Sequence, residues 1–276
     1  MKSSFKEFLS SMPAIEVPRR SPQRRFVGLD WAADAKNRGF VDLHEREGAL
    51  TVAHAFVGIS DDEARVLLSA PQLTIGVDTP FGWPIQFTNF AKQWTPTGAS
   101  ASPPSRDDFA WRMTDQFAKT RTEKTPLSVS SDRLALCSRS WMQVLASSNA
   151  SARVDVGQRS SRHGAIFEVY PAATLLLVAN ESFETAKFKT SRIVRRKALA
   201  AIRKRFAISS RFELEGDTDK DSHVADAFLA ALTTAIYAGA IAGWTVMTPN
   251  AEQRAVAMSE GWIFLPERRE GAETQG

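Results

Sequence analysis

The chain has 276 residues, of which 43% are hydrophobic and 24% are charged, a composition that is typical of a globular protein and excludes wholesale disorder. Its 35 Lys and Arg residues against 31 Asp and Glu residues give a formal charge of +4, which permits an anionic partner without demanding one. The lone Cys137 excludes an internal disulfide framework and a cysteine-based zinc site.

The sequence predicts one domain between two terminal segments. Residues 1–25 form a basic extension in which charged side chains interrupt any apolar core of a signal peptide. The domain is predicted over residues 26–248, and residues 249–276 are interpreted as a C-terminal tail. Because no apolar run reaches the roughly 18 residues of a membrane helix, we expect a cytoplasmic protein with no membrane partner.

The first half of the domain begins with three predicted antiparallel strands. They cover Phe26 to Asp30, Gly39 to His44 and Leu50 to Val57, with turn residues between them. A helix follows, because Ser60 and Glu63 have the spacing of a capping box.

A fourth predicted strand ends in an acidic residue, as the first strand does. The segment Leu73 to Val77 is almost purely apolar, as a strand buried on both faces should be, and it ends at Asp78 just as the first strand ends at Asp30. From about residue 83 to 162 the pattern changes to short helical pieces separated by Ser, Pro and Thr, which predicts a mainly helical insertion.

After the insertion, the sequence again has the patterns of strands and helices. A strand is predicted over Ala165 to Tyr170 with Glu168 inside it, and Pro171 opens a helix. The segment from Lys187 to Arg205 is predicted to be a basic amphipathic helix, and Ser222 to Ala242 a buried closing helix.

This order of elements is typical of an RNase H-like α/β fold, with helices flanking a mixed five-stranded sheet whose first three strands are antiparallel. In such a sheet the first and fourth strands are neighbours, so Asp30 and Asp78 lie side by side and the closing helix adds Asp226. Carboxylates gathered in this way repel one another unless a cation offsets their charge. The pattern therefore predicts a Mg²⁺ or Mn²⁺ site for phosphodiester hydrolysis.

Two further residues are candidate catalytic groups. His223 lies three residues before Asp226, so both project from one face of the helix, where His223 can bind metal or relay a proton. Glu168 is an acid in an interior strand, which needs a partner. It belongs either to the site or to a structural salt bridge with Arg112.

Candidate substrate contacts lie in the insertion and in the basic segment. Arg112 and Asp115 are three residues apart on a predicted helix, where they bind substrate or form a surface ion pair. Lys189 and Arg192 either contact the phosphates of a nucleic acid or belong to a solvated helix face.

The sequence resembles the predicted RNase H-like nucleases of domain-of-unknown-function family four hundred twenty-nine over roughly residues 26 to 245. The resemblance implies the RNase H-like fold, and it implies nuclease activity as a prediction. The segments that carry it are Val-Gly-Leu-Asp30-Trp-Ala, Ile-Gly-Val-Asp78-Thr-Pro-Phe-Gly-Trp-Pro, Phe-Glu168-Val-Tyr-Pro and His223-Val-Ala-Asp226-Ala-Phe-Leu-Ala-Ala.

The closing helix is also similar to that of some Holliday-junction resolvases. Resolvases often have Glu where Asp78 stands, and many relatives have Asp at the position of His223, so the number of metal ions stays open. Two other classes of function also stay open. One is a non-catalytic nucleic-acid-binding or scaffold protein that retains the fold. The other is a nucleotide-dependent phosphotransferase, which the length of the chain and the missing Gly-rich phosphate loops disfavour.

Overall fold

A computed structural model describes residues 4–12, 23–97, 102–130, 132–158, 162–179, 187–210 and 221–271. Its strands are β1 (Arg24–Asp30), β2 (Gly39–Arg46), β3 (Ala49–Val57), β4 (Thr74–Asp78), β5 (Ile166–Glu168), β6 (Ile208–Ser210), β7 (Trp244–Val246) and β8 (Pro266–Arg268). Its α-helices are α1 (Phe5–Ser10), α2 (Asp61–Leu68), α3 (Ile85–Gln93), α4 (Arg106–Ala110), α5 (Met113–Thr122), α6 (Asp132–Ala146), α7 (Pro171–Val178), α8 (Arg192–Arg205), α9 (Asp221–Tyr237) and α10 (Ala251–Glu260).

The main sheet is mixed, with the strand order β5-β4-β1-β2-β3-β6. The antiparallel pairing of β1 with β2 and of β2 with β3 confirms the predicted arrangement of the first three strands. The predicted number of five strands is wrong, because β6 adds a sixth strand parallel to β3 at the far edge. This strand has only three residues, too few for an alternating pattern to be readable.

The closing helix α9 packs directly onto the centre of the sheet, and two glycines make this approach possible. A methyl group on Gly28 of β1 would lie 2.1 Å from the carbonyl oxygen of Ala227, and one on Gly39 of β2 would lie 2.1 Å from that of His223. No side chain fits at either position. The glycines therefore set the spacing between α9 and the strands, and this spacing determines where the polar residues of α9 lie.

The opposite face of the sheet is covered by α2, α6 and α1. Their apolar side chains form a second core cluster with residues of β1 and β4, and Trp141 of α6 is completely buried in it. The capping box of Ser60 and Glu63 at the start of α2 is present as predicted. Phe5 and Phe8 of α1 are buried in the same cluster, so part of the N-terminal extension belongs to the core.

Residues interpreted as a C-terminal tail fold back onto the domain as far as residue 271. They form α10 and β8, and β8 pairs with β7 in a separate two-stranded sheet. Trp262 and Phe264 are completely buried among the residues of the main core. The two aromatic side chains belong to an apolar run of only four residues, 262–265, which is too short to identify an element by its periodicity.

The described part of the chain contains no helix that is long and apolar enough to cross a membrane.

Candidate metal centre

Asp30 and Asp78 stand opposite each other at the carboxyl ends of two neighbouring parallel strands. They are register partners in the pairing of β1 with β4. Helix α9 brings Asp226 to the same edge, and one carboxylate oxygen of each of these aspartates lies within 4.8 Å of the others. The structure therefore brings together the residues from which the sequence predicted a metal site.

The three carboxylates, which we call the acidic cluster, are largely withdrawn from water. Asp226 is 3% exposed and Asp30 is 9% exposed. Burial, followed by the negative charges of Asp30 and Asp226, raises the pKa of Asp78 well above its ordinary value. Burial also raises the pKa of Asp226, although the charge of Lys189 opposes this shift. A cation at the cluster would offset the repulsion that raises both pKa values.

Lys189 already supplies part of that positive charge. Its Nζ lies 2.9 Å from Oδ2 of Asp226, and its side chain is 64% exposed. The charge of Asp226 raises the pKa of Lys189, and Asp78 adds to this effect. Because Ser191 caps α8 by accepting a hydrogen bond from the backbone N–H of Val194, Lys189 precedes the helix. It reaches the cluster from the preceding turn.

His223 is attached to the acidic cluster through Asp30. Its Nδ1 lies 2.5 Å from Oδ2 of Asp30, and it sits one turn before Asp226 on α9. This hydrogen bond is the main reason why the pKa of His223 is raised. The ring nitrogen that faces the cluster is therefore engaged with a carboxylate, so His223 holds Asp30 in place.

Glu168 lies next to the cluster on β5 but is held by Arg112. Nη1 of Arg112 donates to Oε2 of Glu168 at 2.8 Å, and Nη2 donates to Oε1 at 2.6 Å. Oε2 also accepts a hydrogen bond from the backbone N–H of Phe81. Of the two interpretations open for Glu168, the geometry corresponds to the structural salt bridge.

Arg112 and Asp115 form an ion pair, but this pair is buried instead of lying on the surface. Arg112 is 1% exposed and precedes α5. Nε and Nη2 donate to the carboxylate of Asp115, and Nη1 also donates to the backbone carbonyl of Glu260. Together with the bonds to Glu168, each of the five guanidinium N–H groups has an acceptor. Arg112 thus joins the insertion to β5 and α10.

A cavity of about 400 Å³ lies over the acidic cluster. Its floor includes Asp30 and Asp78, and its walls come from the insertion, from the β5–α7 connection and from the segment before α8. The lining residues are Asp30, Trp31, Asp78, Thr79, Pro80, Arg112, Asp115, Lys124, Thr125, Pro126, Leu127, Leu134, Glu168, Val169, Tyr170, Ala172, Lys189 and Ile263.

Arg192, a predicted substrate contact, is exposed at the first residue of α8 and is not among these lining residues. Lys124, Thr79 and Tyr170 line the cavity but were not singled out from the sequence. Two of them could have been found from the sequence, since Thr79 follows Asp78 directly and Tyr170 lies within the motif that contains Glu168. Lys124 lies in a loop of the insertion and gave no signal.

A second group of metal-ligand types occurs elsewhere on the sheet. Asp42 and His44 of β2 and His54 of β3 have ligand atoms within 4.8 Å of one another. Here, however, the guanidinium of Arg25 forms a buried salt bridge with Asp42, and both histidines are within hydrogen-bonding distance of Asp42. The charge of this carboxylate is therefore already balanced, so we interpret the group as a structural ion network.

The fold and the acidic cluster define an α/β protein with a candidate metal centre at the carboxyl edge of a mixed sheet. A family model described as "Protein of unknown function (DUF429)" matches residues 28–254. The chain belongs to this family. No curated protein and no solved structure matches it.

Proposed function

We propose that the protein is an RNase H-like nuclease that hydrolyses phosphodiester bonds in nucleic acid with Mg²⁺ or Mn²⁺. The observation that carries this proposal is the convergence of Asp30, Asp78 and Asp226 within 4.8 Å. Three carboxylates at this separation, of which Asp226 and Asp30 are buried and Asp78 is half-buried, need a cation to offset their mutual repulsion. Hard divalent cations prefer such oxygen ligands.

The order of the strands supports the RNase H-like assignment. Strand β1 lies between antiparallel β2 and parallel β4, so the first and fourth strands are neighbours as this fold requires. Helix α9 then crosses the sheet close enough to add Asp226. The edge strand β6 is an addition at the side of the sheet that is remote from the acidic cluster.

Each residue of the site has a distinct role in this proposal. The three aspartates would hold the ion, which when bound activates water and stabilises the leaving oxygen of a phosphodiester. His223 holds a proton at Nδ1 against Asp30 and so fixes the orientation of that carboxylate. Lys189 offers an exposed ammonium beside the cluster, where it can contact a phosphate.

Glu168, Arg112 and Asp115 have positioning roles instead of direct ones. Both oxygens of Glu168 already accept hydrogen bonds, and so does the carboxylate of Asp115. Their network fixes the insertion against β5, which places one wall of the cavity over the cluster.

The decisive experiment is cleavage of labelled single-stranded, duplex, hybrid and branched nucleic acids with Mg²⁺ or Mn²⁺. Wild type is compared with Asp30→Asn and Asp226→Asn, and Asp107→Asn is the matched control because Asp107 is exposed on α4. We expect metal-dependent cleavage that both cluster variants lose and the control keeps. Thermal unfolding with Mn²⁺ is measured in parallel, because an ion that binds the folded state raises Tm.

One outcome of these measurements would overturn the proposed nuclease function. If wild type cleaves none of these substrates and Mn²⁺ leaves Tm unchanged, the protein is not a metal-dependent nuclease. The non-catalytic nucleic-acid-binding protein would then become the working hypothesis, and binding of the same labelled substrates would test it.

A further inference from the structure

Two members of the acidic cluster, Asp30 and Asp78, line a cavity. The carboxylate side chains of Asp226 and Asp30 are only 5% and 13% exposed. The loop from Lys124 to Leu127 lines the same cavity as Asp30 and Asp78. A phosphate bound at these carboxylates would therefore lie beside this loop.

The size of the cavity fits a small ligand. Its volume of about 400 Å³ falls near the lower end of the ~300–1,000 Å³ range of small-molecule sites. This is room for one nucleotide unit and not for a base pair with its two backbones. The volume thus favours an unpaired nucleotide.

The walls divide into a polar part and an apolar part. Lys124 and Lys189 both line the cavity, so two ammonium groups lie near the carboxylates where a phosphate would be received. Burial, and then the charge of Lys189, lowers the pKa of Lys124, which an anion between the two lysines would reverse. Pro126, Leu127 and Tyr170 provide apolar and aromatic surface of the kind on which a base packs.

One residue of the cavity wall, Thr79, carries a hydroxyl without a partner in the described part of the chain. The hydroxyl of Thr79 is buried and has no hydrogen-bond partner among the residues that the structure describes. Thr79 is 3% exposed and follows Asp78 directly. A buried hydroxyl without a partner is costly, and rotation of the Thr79 side chain would turn its hydroxyl toward a ligand in the cavity.

We propose that this cavity receives one unpaired nucleotide with its phosphate. The inference rests on the proposed nuclease function and narrows it to short oligonucleotides and single-stranded ends, with the interior of an intact duplex excluded. Lys124 contacts the phosphate, and the loop from Lys124 to Leu127 closes over the base.

The first test is binding and does not depend on turnover. Nucleoside 5′-monophosphates of the four bases are titrated into the full chain with Ca²⁺ by calorimetry. We expect binding that Lys124→Gln weakens about tenfold, as befits the loss of one ion contact to phosphate. Lys119→Gln, on the exposed face of α5, is the matched control. Absence of binding to wild type at millimolar nucleotide overturns the inference.

A second variant tests the cavity itself. Ala172 lines it at the start of α7, so Ala172→Phe is expected to abolish nucleotide binding while Mn²⁺ still raises Tm. Ala200→Phe, at an exposed position of α8, is the control. Undiminished nucleotide binding by Ala172→Phe would place the nucleotide elsewhere and contradict the proposal.

A cleavage experiment distinguishes failure of this inference from failure of the nuclease proposal. A dinucleotide, a single-stranded oligonucleotide and a duplex closed by loops at both ends are compared with Mn²⁺. We expect the first two to be cleaved about 100-fold faster than the paired region of the third. Equal rates overturn the inference and leave the nuclease proposal intact, whereas nucleotide binding without any cleavage leaves the cavity assignment intact and overturns the nuclease.

Discussion

Nδ1 of His223 lies 2.5 Å from Oδ2 of Asp30, so one hydrogen bond joins the closing helix to the first strand at the acidic cluster. The two residues are 193 positions apart in the chain, and the bond fixes a carboxylate that would hold metal. Residues that orient a metal ligand in this way contribute to affinity without touching the ion.

Replacement of His223 is expected to weaken metal binding. His223→Gln removes the imidazole that orients Asp30, so we expect the Kd for Mn²⁺, measured by calorimetry, to rise about tenfold. His163→Gln at an exposed position should leave the Kd unchanged. Equal affinity of both variants would show that Asp30 does not depend on His223.

Replacement of Lys189 is expected to have the opposite effect. The ammonium lies 2.9 Å from Oδ2 of Asp226 and competes with any cation for that carboxylate, so Lys189→Gln should lower the Kd for Mn²⁺ about threefold to tenfold. Cleavage by the same variant should slow, because a phosphate contact is lost. The control is Lys197→Gln on the exposed face of α8, and a raised Kd in Lys189→Gln would contradict the competition.

The ion network of Arg112 is expected to be essential for stability. Arg112→Met leaves Glu168 and Asp115 buried without their cation, which costs about 3–5 kcal/mol of unfolding free energy. Burial already raises the pKa of Glu168, and loss of the guanidinium would raise it further. A raised carboxyl pKa means stability that is lost as pH rises, so the variant should be least impaired near pH 4.5.

Denaturant unfolding of Arg112→Met between about pH 4.5 and pH 8 measures this effect. Arg106→Met, at an exposed position of α4, is the matched control and should behave as wild type. A constant difference from wild type across this range would mean that the buried carboxylates are stabilised by groups other than Arg112.

The network around Asp42 is expected to govern unfolding in acid. Burial opposes ionisation of Asp42, but hydrogen bonds from His44 and His54 and the charge of Arg25 outweigh it and lower its pKa below the ordinary value of 3.8. A lowered pKa contributes stability that is present above about pH 4 and is lost as pH falls. His54→Phe keeps the ring but removes one donor, so the acid transition should move to higher pH.

Circular dichroism during acid titration measures this transition. The neutral-pH stability of His54→Phe should also fall, by about 1–2 kcal/mol, because a half-buried hydrogen bond to a charged group is lost. His163→Gln again serves as the control. An acid midpoint unchanged by His54→Phe would show that His44 and Arg25 hold the pKa of Asp42 low without His54.

The sequence could predict that the three aspartates of the acidic cluster lie together, because their proximity follows from the order of the strands. Once Asp30 and Asp78 are assigned to the ends of the first and fourth strands, their proximity is a property of the sheet. The pairing of Glu168 with Arg112 was also foreseen as one of two interpretations. A buried acid in an interior strand demands a cation, and Arg112 was one of the basic residues considered for this role.

The cavity, by contrast, could not be predicted from the sequence. Its wall is a loop rich in Ser, Thr and Pro, and such a composition predicts irregular structure without indicating which face of the sheet it covers. The insertion that carries Lys124 is joined to β5 by the contact of Arg112 with Glu168, which brings together residues far apart in the sequence. The edge strand β6 and the pairing of β7 with β8 were missed for a related reason, since strands of three residues depend on tertiary contacts.

Two glycines, Gly28 and Gly39, help to position the residues of this site although they have no functional group. Because α9 touches the strands at Gly28 and Gly39, the depth at which Asp226 and His223 sit is set by the missing methyl groups of β1 and β2. A single added carbon at either glycine would lift the helix and spread the carboxylates apart. The separation of the three carboxylates thus depends on two backbone positions that carry no functional group.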